Sequence, residues 1–312
     1  MQYFLEKKIC IVGSGFCGYT AFKKLTNEGL DLLVVEGGHI TTPSSAEEQS
    51  FYKLNNNPYV SSIKIKDKVS NIANLVEASF RDRKYTLGGS SECWTGWIKP
   101  LEKTTYLNSF SEIPNQKWGE FNLTKYNKES LEILNSPILN FDPDVVAKSL
   151  NINLPKLPKG LYYTVYAWAN SPIRFKKFWI DKINNNPKKV TNSKNVLCNF
   201  KLEDAVIVNN KIEKLIFTSD EDKLIVKAEF FVIGLGGIEN ARFIEKLGEN
   251  HLSSKKGQKS IGNFQEHPHI YQVAGFNLGR NPIPKILKER VPYYSNGKIL
   301  GKVKFSIVAW DG

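Results

Sequence analysis

The stretch from residue 8 to residue 36 is the part of the sequence that most limits how this chain can fold. Residues 8–12 (KICIV) have the apolar character of a buried parallel strand, and the turn Gly13-Ser14-Gly15-Phe16-Cys17-Gly18 follows directly. Apolar residues then recur at helical spacing over residues 16–28, and residues 32–35 (LLVV) predict a second buried strand. A strand, a glycine turn, a helix and a strand in this order are typical of a Rossmann-type unit, so the predicted fold class is α/β.

Each residue type in this turn has a physical reason to be there. Gly13 permits a tight turn, Gly15 lets the backbone approach a pyrophosphate, and Gly18 lets the helix pack closely on the strand. The helix N-terminus offers N–H groups and the positive end of its dipole to phosphates. Glu36 follows the second strand, where a carboxylate accepts hydrogen bonds from the adenosine ribose and repels the 2′-phosphate of NADP. The turn alone fits FAD and NAD equally.

Further along the chain, other elements are predicted from periodicity and turn residues. A helix is expected over residues 118–135, and residues 136–170, which carry several prolines, are expected to be irregular. The stretches 196–202, 205–209, 211–219 and 223–228 resemble a β-meander. A buried strand at 230–233, a helix at 239–247 and strands at 269–276 and 302–309 follow.

Several motifs resemble those of the glucose–methanol–choline (GMC) family of FAD-dependent oxidoreductases, and they stand in the family's order. Glu36-Gly37-Gly38 resembles the E-x-G end of the second strand in FAD-binding oxidoreductases. Residues 87–97 (LGGSSECWTGW) resemble the Gly-Gly-Ser loop that runs along the flavin. Residues 236–242 (GGIENAR) and 263–269 (NFQEHPH) resemble two later family segments. The resemblance implies FAD as cofactor and oxidation of an alcohol, often on a sugar, by hydride transfer to flavin N5.

The resemblance also implies how the chain is divided and which residues bind the cofactor. A Rossmann-type FAD-binding domain is expected at residues 1–105 and 190–265, and a second, partly built α+β substrate domain at 106–189 and 266–312. The predicted cofactor-binding residues are Gly13, Ser14, Gly15, Phe16, Gly18, Glu36, Gly37, Arg83, Gly88, Gly89, Ser90, Cys93, Trp94, Thr95, Gly236 and Asn240.

The loop around Trp94 resembles the pyranose oxidase and sugar dehydrogenase branch most closely. Some members of that branch attach the flavin through a histidine just before this tryptophan, and Cys93 stands at that position here. A cysteinyl link to the flavin is one interpretation. A non-covalent flavin with Cys93 packed near the ring is the other, and we favour it.

The family's C-terminal segment with its catalytic histidine has no counterpart in this sequence. The four histidines are His39, His251, His267 and His269, and only the last two are candidates for a catalytic base. The difference predicts a chain that is truncated, split, or part of a longer reading frame. The alternatives are a catalytically incomplete FAD-binding subunit that needs a polypeptide with the missing segment, a degenerate paralogue, and an NAD-dependent Rossmann reductase.

Composition excludes several other classes. The net charge is +12, but the lysines are scattered along the chain, so no nucleic-acid partner is predicted. The four cysteines form no CxxC pair, so neither a metal site nor a disulfide framework is expected. No signal peptide and no apolar run long enough to span a bilayer is visible, which predicts a cytoplasmic protein without a membrane partner. The expected partner is a small-molecule alcohol or sugar substrate.

Overall fold

The computed structural model describes residues 1–40, 85–100, 123–184, 194–251, 287 and 289–309 of the chain. The chain forms two compact units: Met1–Cys93 with Arg174–Tyr271, and Trp94–Ile173 with Gln272–Gly312. No helix in the described parts is both long and apolar enough to cross a membrane.

A six-stranded mixed sheet forms the centre of the first unit. Its parallel strands are β1 (Gln2–Val12), β2 (Leu32–Val35), β5 (Lys194–Leu197) and β8 (Lys223–Ile233), and β7 (Lys211–Thr218) and β6 (Lys201–Val208) continue it antiparallel. The strand order is β5-β2-β1-β8-β7-β6. Helix α1 (Phe16–Thr26) joins β1 to β2, and α5 (Gly237–His251) follows β8. The predicted α/β fold with a Rossmann-type unit is confirmed.

Strand β2 shows why its sequence forms a central parallel strand. All four residues of β2 are buried, because β1 and β5 flank it and its two faces are both covered. Helix α1 buries Tyr19 and Phe22, which are three residues apart and therefore lie on one side of the helix.

Strands β1 and β8 are both longer than predicted. The sequence predicts that β1 begins near residue 8, but β1 pairs with β8 in register from Gln2↔Lys223 to Val12↔Ile233. The two stretches predicted at 223–228 and 230–233 are one strand. The ammonium group of Met1 lies 3.0 Å from Asp222 Oδ1 at the start of this pairing.

The predicted meander begins later than expected. The sequence predicts one strand over residues 196–202, but β5 ends at Leu197 and β6 starts at Lys201. Between them Asn199 adopts φ 65°, a left-handed conformation that breaks the strand. Strand β5 is therefore the parallel neighbour of β2, and the meander consists of β6, β7 and β8.

The second unit contains a four-stranded antiparallel sheet with helices on one face. Its order is β3-β4-β10-β9, with β3 at Trp97–Ile98, β4 at Leu161–Ala169, β9 at Val291–Ser295 and β10 at Lys298–Ala309. Helices α2 (Asn127–Ile133) and α3 (Pro143–Ser149) pack on this face. The buried side chains there are Ile98, Leu131, Ile138, Val146, Ala147, Val165, Ala167, Ala169, Val303 and Phe305.

The prediction of irregular structure for residues 136–170 is wrong, because the stretch contains α3 and β4. Helix α3 begins at Pro143, and the Asp142 carboxylate accepts hydrogen bonds from the N–H groups of Asp144 (2.9 Å) and Val145 (3.0 Å). An Asp-Pro pair is a helix start, since proline is tolerated at the first helical position. Helix α4 (Phe175–Ile180) belongs to the first unit, whereas the predicted domain limits put it in the second.

The turn between β1 and α1 depends on very close backbone packing. A Cβ atom on Gly18 would overlap the carbonyl oxygen of Gly13, and a Cβ atom on Gly13 would overlap the carbonyl oxygen of Gly234 at the end of β8. Gly13 also has φ 95°. Any side chain at these positions would force the turn away from the strands.

We expect Gly18→Ala to lower the free energy of unfolding by about 3 kcal/mol, because the methyl group collides with backbone that has no free rotation. The control is Gly29→Ala, whose Cβ would meet no atom within 4 Å although its φ is 67°. That strain alone costs about 1 kcal/mol. Urea unfolding of both variants measures the difference, and equal stabilities would contradict the packing argument.

Candidate cofactor-binding site

A cleft of about 630 Å³ lies at the carboxyl ends of β1, β2 and β8 in the first unit. Ligands of open α/β sheets bind at this edge of the sheet. Its walls come from the turn after β1, the end of β2, the start of β6, the turn after β8 and α5. The lining residues are Val12, Gly13, Ser14, Gly15, Phe16, Cys17, Glu36, Gly37, Tyr85, Gly89, Ser90, Phe200, Lys201, Leu202, Glu203, Gly234, Leu235, Gly236, Gly237, Glu239, Arg242, Phe243 and Lys246.

Gly15 differs from the other two glycines of the turn. A Cβ atom there would meet only the carbonyl oxygen of Gly88, at the ordinary distance of 3.9 Å. The fold itself therefore does not require glycine at this position. Because Gly15 lines the cleft, its missing side chain leaves backbone open to a ligand.

The N-terminus of α1 has the chemistry of an anion site. Gly15 is the N-cap residue, no side chain caps the helix, and its first turn contains no acidic residue. The unpaired N–H groups of a helix start and the positive end of its dipole favour a negatively charged group. This end of α1 opens into the cleft at Gly15, Phe16 and Cys17.

The carboxylate of Glu36 joins the end of β2 to the turn after β1. Glu36 is only 6% exposed. Its Oε2 atom accepts hydrogen bonds from the N–H (2.8 Å) and the hydroxyl (2.5 Å) of Ser14, and its Oε1 atom accepts one from Gly38 N–H (2.6 Å). The Ser14 hydroxyl in turn accepts a hydrogen bond from Gly88 N–H (2.7 Å). One buried network therefore connects three separate segments of the sequence.

Burial and hydrogen bonding act on Glu36 in opposite directions. Desolvation by burial raises the pKa of its carboxyl group, and the hydrogen bonds from Ser14, Gly38 and Gly37 lower it. Burial is the larger effect, so the pKa lies above its ordinary value. The same buried surroundings, with the neighbouring charges of Glu36 and Glu239, raise the pKa of the Tyr85 hydroxyl.

The loop at residues 88–92 is held against α4. The Ser91 hydroxyl donates to Gly88 O (2.8 Å) and accepts from Phe175 N–H (3.1 Å), and Glu92 Oε1 accepts from Lys176 N–H (3.1 Å). Glu92 and Ser91 thus hold the backbone at the start of α4, and that contact fixes the loop on which Gly89 and Ser90 line the cleft.

Helix α4 also holds the turn after β1. The indole N–H of Trp179, which is fully buried, donates a hydrogen bond to Ser14 O (2.8 Å). Aromatic side chains of α1 and α4 surround this bond: the Tyr19 and Phe175 rings stack with centroids 4.0 Å apart, and Phe22 contacts Trp179 edge to face at 4.9 Å. The side chain and the carbonyl of Ser14 are both fixed before any ligand binds.

The wall formed by β6 and α5 carries charges of both signs. The Arg242 guanidinium lies 2.7 Å from Glu239 Oε1, and the Lys246 ammonium lies 3.5 Å from Glu203 Oε1 and 3.8 Å from Asp204 Oδ2. The Lys201 ammonium lies 5.8 Å from the Tyr85 ring centroid. The positive charge of this wall is therefore largely balanced by its own carboxylates.

Nine of the sixteen predicted cofactor-binding residues line the cleft: Gly13, Ser14, Gly15, Phe16, Glu36, Gly37, Gly89, Ser90 and Gly236. Gly18 and Gly88 lie behind it, and the Asn240 side chain accepts from Leu235 N–H (3.1 Å), which holds the turn after β8. Cys93 ends the 88–92 loop, where its thiol donates to Ser90 O. Trp94 and Thr95 belong to the second unit.

The remaining predictions fall largely outside the described residues. Arg83, His267 and His269 lie there, and so does the 263–269 segment. His39 is described, and its side chain is exposed. Among the described residues no group of three or more His, Cys, Asp or Glu could hold a metal ion.

Sequence reasoning missed most of the side-chain wall of the cleft. Tyr85, Phe200, Lys201, Arg242 and Lys246 line it. Arg242 lies in the motif at 236–242, which offered a signal for it. The others stand in a strand, a helix and a loop without any local pattern, and only the packing of β6 and α5 brings them to the cleft.

The fold and the cleft together define a Rossmann-type α/β protein with a nucleotide-cofactor cleft as the candidate site. No protein-family model matches the sequence, and no curated protein matches it. The chain is similar in structure to pyridoxine 4-oxidase from Mesorbium loti, with 14% identity and a TM-score of 0.42 over 75% of this chain and 50% of that one.

Two other solved structures are similar at the same low level. A geranylgeranyl bacteriochlorophyll reductase-like protein from Thermoplasma acidophilum has 11% identity and a TM-score of 0.33, over 81% of this chain and 44% of that one. L-amino acid deaminase from Proteus vulgaris has 14% identity and a TM-score of 0.29, over 78% and 50%. The chain spans about half the length of these structures.

Trp179→Phe tests the hydrogen bond to the turn. The variant keeps a buried aromatic ring but leaves the Ser14 carbonyl without its donor, so the free energy of unfolding should fall by about 1–3 kcal/mol. The matched control is Trp168→Phe, since Trp168 is 8% exposed and donates no hydrogen bond to the described residues. Urea unfolding measures both, and an equal loss would show that the N–H group contributes nothing.

Glu36→Gln tests the raised pKa. A carboxyl group whose folded pKa is raised binds its proton more tightly in the folded chain, so it stabilises the fold below its unfolded pKa of about 4.3. That contribution is lost as the pH rises through the folded pKa. The stability of the ligand-free wild type minus that of the variant should therefore fall with rising pH. A difference that stays constant or rises would contradict the raised pKa.

Proposed function

We propose that the chain binds FAD and acts in the oxidation of an alcohol group, carried by a sugar or a sugar-like polyol. The main observation in support of FAD binding is that three separate motifs line one cleft. They are the turn after β1, Glu36-Gly37 and Gly89-Ser90. The resemblance to the GMC oxidoreductases assigns the same three motifs to the flavin dinucleotide. A helix start, an acid and a glycine loop at one site are what a dinucleotide needs.

The chemistry of the cleft fits each part of the cofactor. The uncapped start of α1 and the bare backbone of Gly15 suit a pyrophosphate. Glu36 accepts three hydrogen bonds from its own chain, and of the roughly four lone-pair sites of a carboxylate this leaves about one, on Oε1, for a ribose hydroxyl. The cleft volume of about 630 Å³ lies within the usual range of about 300–1,000 Å³ for cofactor sites.

FAD, when bound, supplies the acceptor for a hydride from the substrate carbon. The residues of the chain hold and orient it: Ser14 and Glu36 fix the turn, and the 88–92 loop adds Gly89 and Ser90. Removal of the hydroxyl proton requires a base, for which His267 and His269 remain the candidates. Non-covalent binding beside Cys93 is part of the proposal, and the cytoplasmic location stays a prediction.

The purified chain should show the visible absorption bands of a flavin, and heat or acid should release free FAD from the protein. Flavin that stays on the denatured polypeptide would instead favour a link to Cys93. Bound nicotinamide dinucleotide without flavin would contradict the FAD proposal and favour the NAD-dependent reductase. Activity is measured with a dye as electron acceptor. If the chain holds flavin but reduces the dye with no sugar or alcohol, the result would favour a catalytically incomplete FAD-binding subunit that needs a separate catalytic segment.

Gly15→Ala separates cofactor binding from folding. The alanine Cβ would make only an ordinary contact with the Gly88 carbonyl oxygen, so the unfolding temperature should not change. The methyl group would, however, fill the space through which the pyrophosphate approaches the backbone. The Kd for FAD should rise about tenfold or more. Titration of apoprotein with FAD measures it. The control is Gly160→Ala in the second unit, since a Cβ there meets no atom within 4 Å and the strain of its φ of 86° lies away from the cleft. An unchanged affinity of Gly15→Ala for FAD would show that the pyrophosphate does not bind at this turn.

A further inference from the structure

The sheet of the second unit has one face that α2 and α3 leave uncovered. Val165 and Ala167 of β4 and Val303 and Phe305 of β10 point to the helices, so the alternate residues lie on the opposite face. Among these alternate residues Tyr166 and Trp168 of β4 are aromatic and Lys302 and Lys304 of β10 are basic, whereas the paired Thr164 and Ser306 are small and polar. We call Trp97, Lys99, Tyr166, Trp168, Arg290, Lys302 and Lys304 the aromatic–basic face.

The aromatic side chains of this face form one continuous platform. The Trp97 and Trp168 rings stack with centroids 5.1 Å apart, and Trp97 meets Tyr166 edge to face at 5.3 Å. Trp168 is nearly buried, whereas Trp97 is 42% exposed at the edge strand. The flat C–H surface of a sugar ring suits such a platform, as it packs on an apolar aromatic face.

Positive charges surround the platform. The Arg290 guanidinium lies 4.3 Å from the Trp168 centroid, and the Lys99 ammonium lies 5.1 Å from the Tyr166 centroid. Lys302 and Lys304 are register partners of Trp168 and Tyr166, so they stand beside the same rings. The four strands contain no Asp or Glu, and within the described chain Arg290, Lys302 and Lys304 form no ion pair.

We propose that the aromatic–basic face binds an anionic sugar, namely a ring-shaped polyol with a phosphate or carboxylate group. The ring packs on Trp97, and the anionic group lies among Arg290, Lys302 and Lys304. A planar guanidinium held over an indole is ready to bind such a group through two parallel hydrogen bonds. This inference rests on the proposed function in one respect, since it makes the alcohol substrate an anionic sugar instead of a neutral one.

The arrangement of the rings favours a sugar over single-stranded nucleic acid. Single-strand binding needs separate aromatic rings, each open to one of several successive bases. Here Trp168 is covered by Trp97 on one side and Arg290 on the other, so the platform offers room for one ring. An oligonucleotide is therefore tested as a competing ligand.

Isothermal titration of the whole 312-residue chain tests the inference with five probes: glucose 6-phosphate, glucuronate, glucose, inorganic phosphate and an oligouridylate. We expect glucose 6-phosphate or glucuronate to bind at least about tenfold more tightly than glucose and inorganic phosphate, because only they contact both rings and cations. Comparing the two anionic sugars identifies the anionic group. Binding of neither, equal binding of phosphate alone, or tighter binding of the oligouridylate would overturn the proposal.

Charge-removing variants locate the site. Lys302→Ala/Lys304→Ala should weaken binding of the anionic sugar by about tenfold or more and leave the weak glucose binding unchanged. The matched control is Lys148→Ala/Lys159→Ala, which removes two exposed lysines of the same unit away from the face. Trp97→Leu should weaken both sugars. If Lys302→Ala/Lys304→Ala binds the anionic sugar with unchanged affinity and has the circular dichroism of the wild type, the ligand does not bind at the aromatic–basic face.

The flavin content of every sample separates this inference from the proposed function. Anionic-sugar binding without bound flavin would support the face and reject the oxidoreductase. Bound flavin with oxidation of glucose, unaffected by the Lys302→Ala/Lys304→Ala variant, would support the oxidoreductase and reject the face. Oxidation of the anionic sugar that the double variant impairs, mainly through KM, would support both.

Discussion

The buried carboxylate of Glu36 is the interaction on which the candidate cofactor site depends. It accepts two backbone N–H bonds and one hydroxyl bond, and the same hydroxyl accepts from Gly88 N–H. Loss of any partner would leave a buried polar group unsatisfied, at a cost of about 1–3 kcal/mol. The turn after β1, the end of β2 and the loop at residues 88–92 are therefore one structure, although they are far apart in sequence.

Helix α4 extends that structure through Ser14 and Ser91. Trp179 binds the carbonyl of Ser14, and the Ser91 hydroxyl accepts the N–H of Phe175. The cleft is thus preorganised by groups that do not line it, which lowers the ordering cost of ligand binding. The two candidate sites present different chemical groups to a ligand. The cleft relies on glycines and backbone donors, whereas the aromatic–basic face relies on large aromatic and basic side chains.

The βαβ unit could be predicted because its determinants are local. The apolar run of β2, the glycine turn and Glu36 each follow from the residues that carry them. Strand β1 was predicted too short because residues 2–7 gain their strand conformation from pairing with β8, more than 200 residues away. The Asp142-Pro143 pair is a recognisable helix start. The several prolines nearby nevertheless favoured a prediction of irregular structure, so α3 was missed.

The sequence by itself determined the α/β class, the glycine turn with its acid, and most of the backbone that lines the cleft, because each is specified by short-range steric and hydrogen-bonding needs. Only the tertiary structure decided that Glu36 is buried with its oxygens already engaged, that Trp179 serves the turn rather than a ligand, and that Tyr85, Lys201 and Lys246 reach the cleft. The same holds for the aromatic–basic face, since strand pairing brings Trp97, Trp168 and Lys302 together. These are products of long-range packing, which no local pattern encodes.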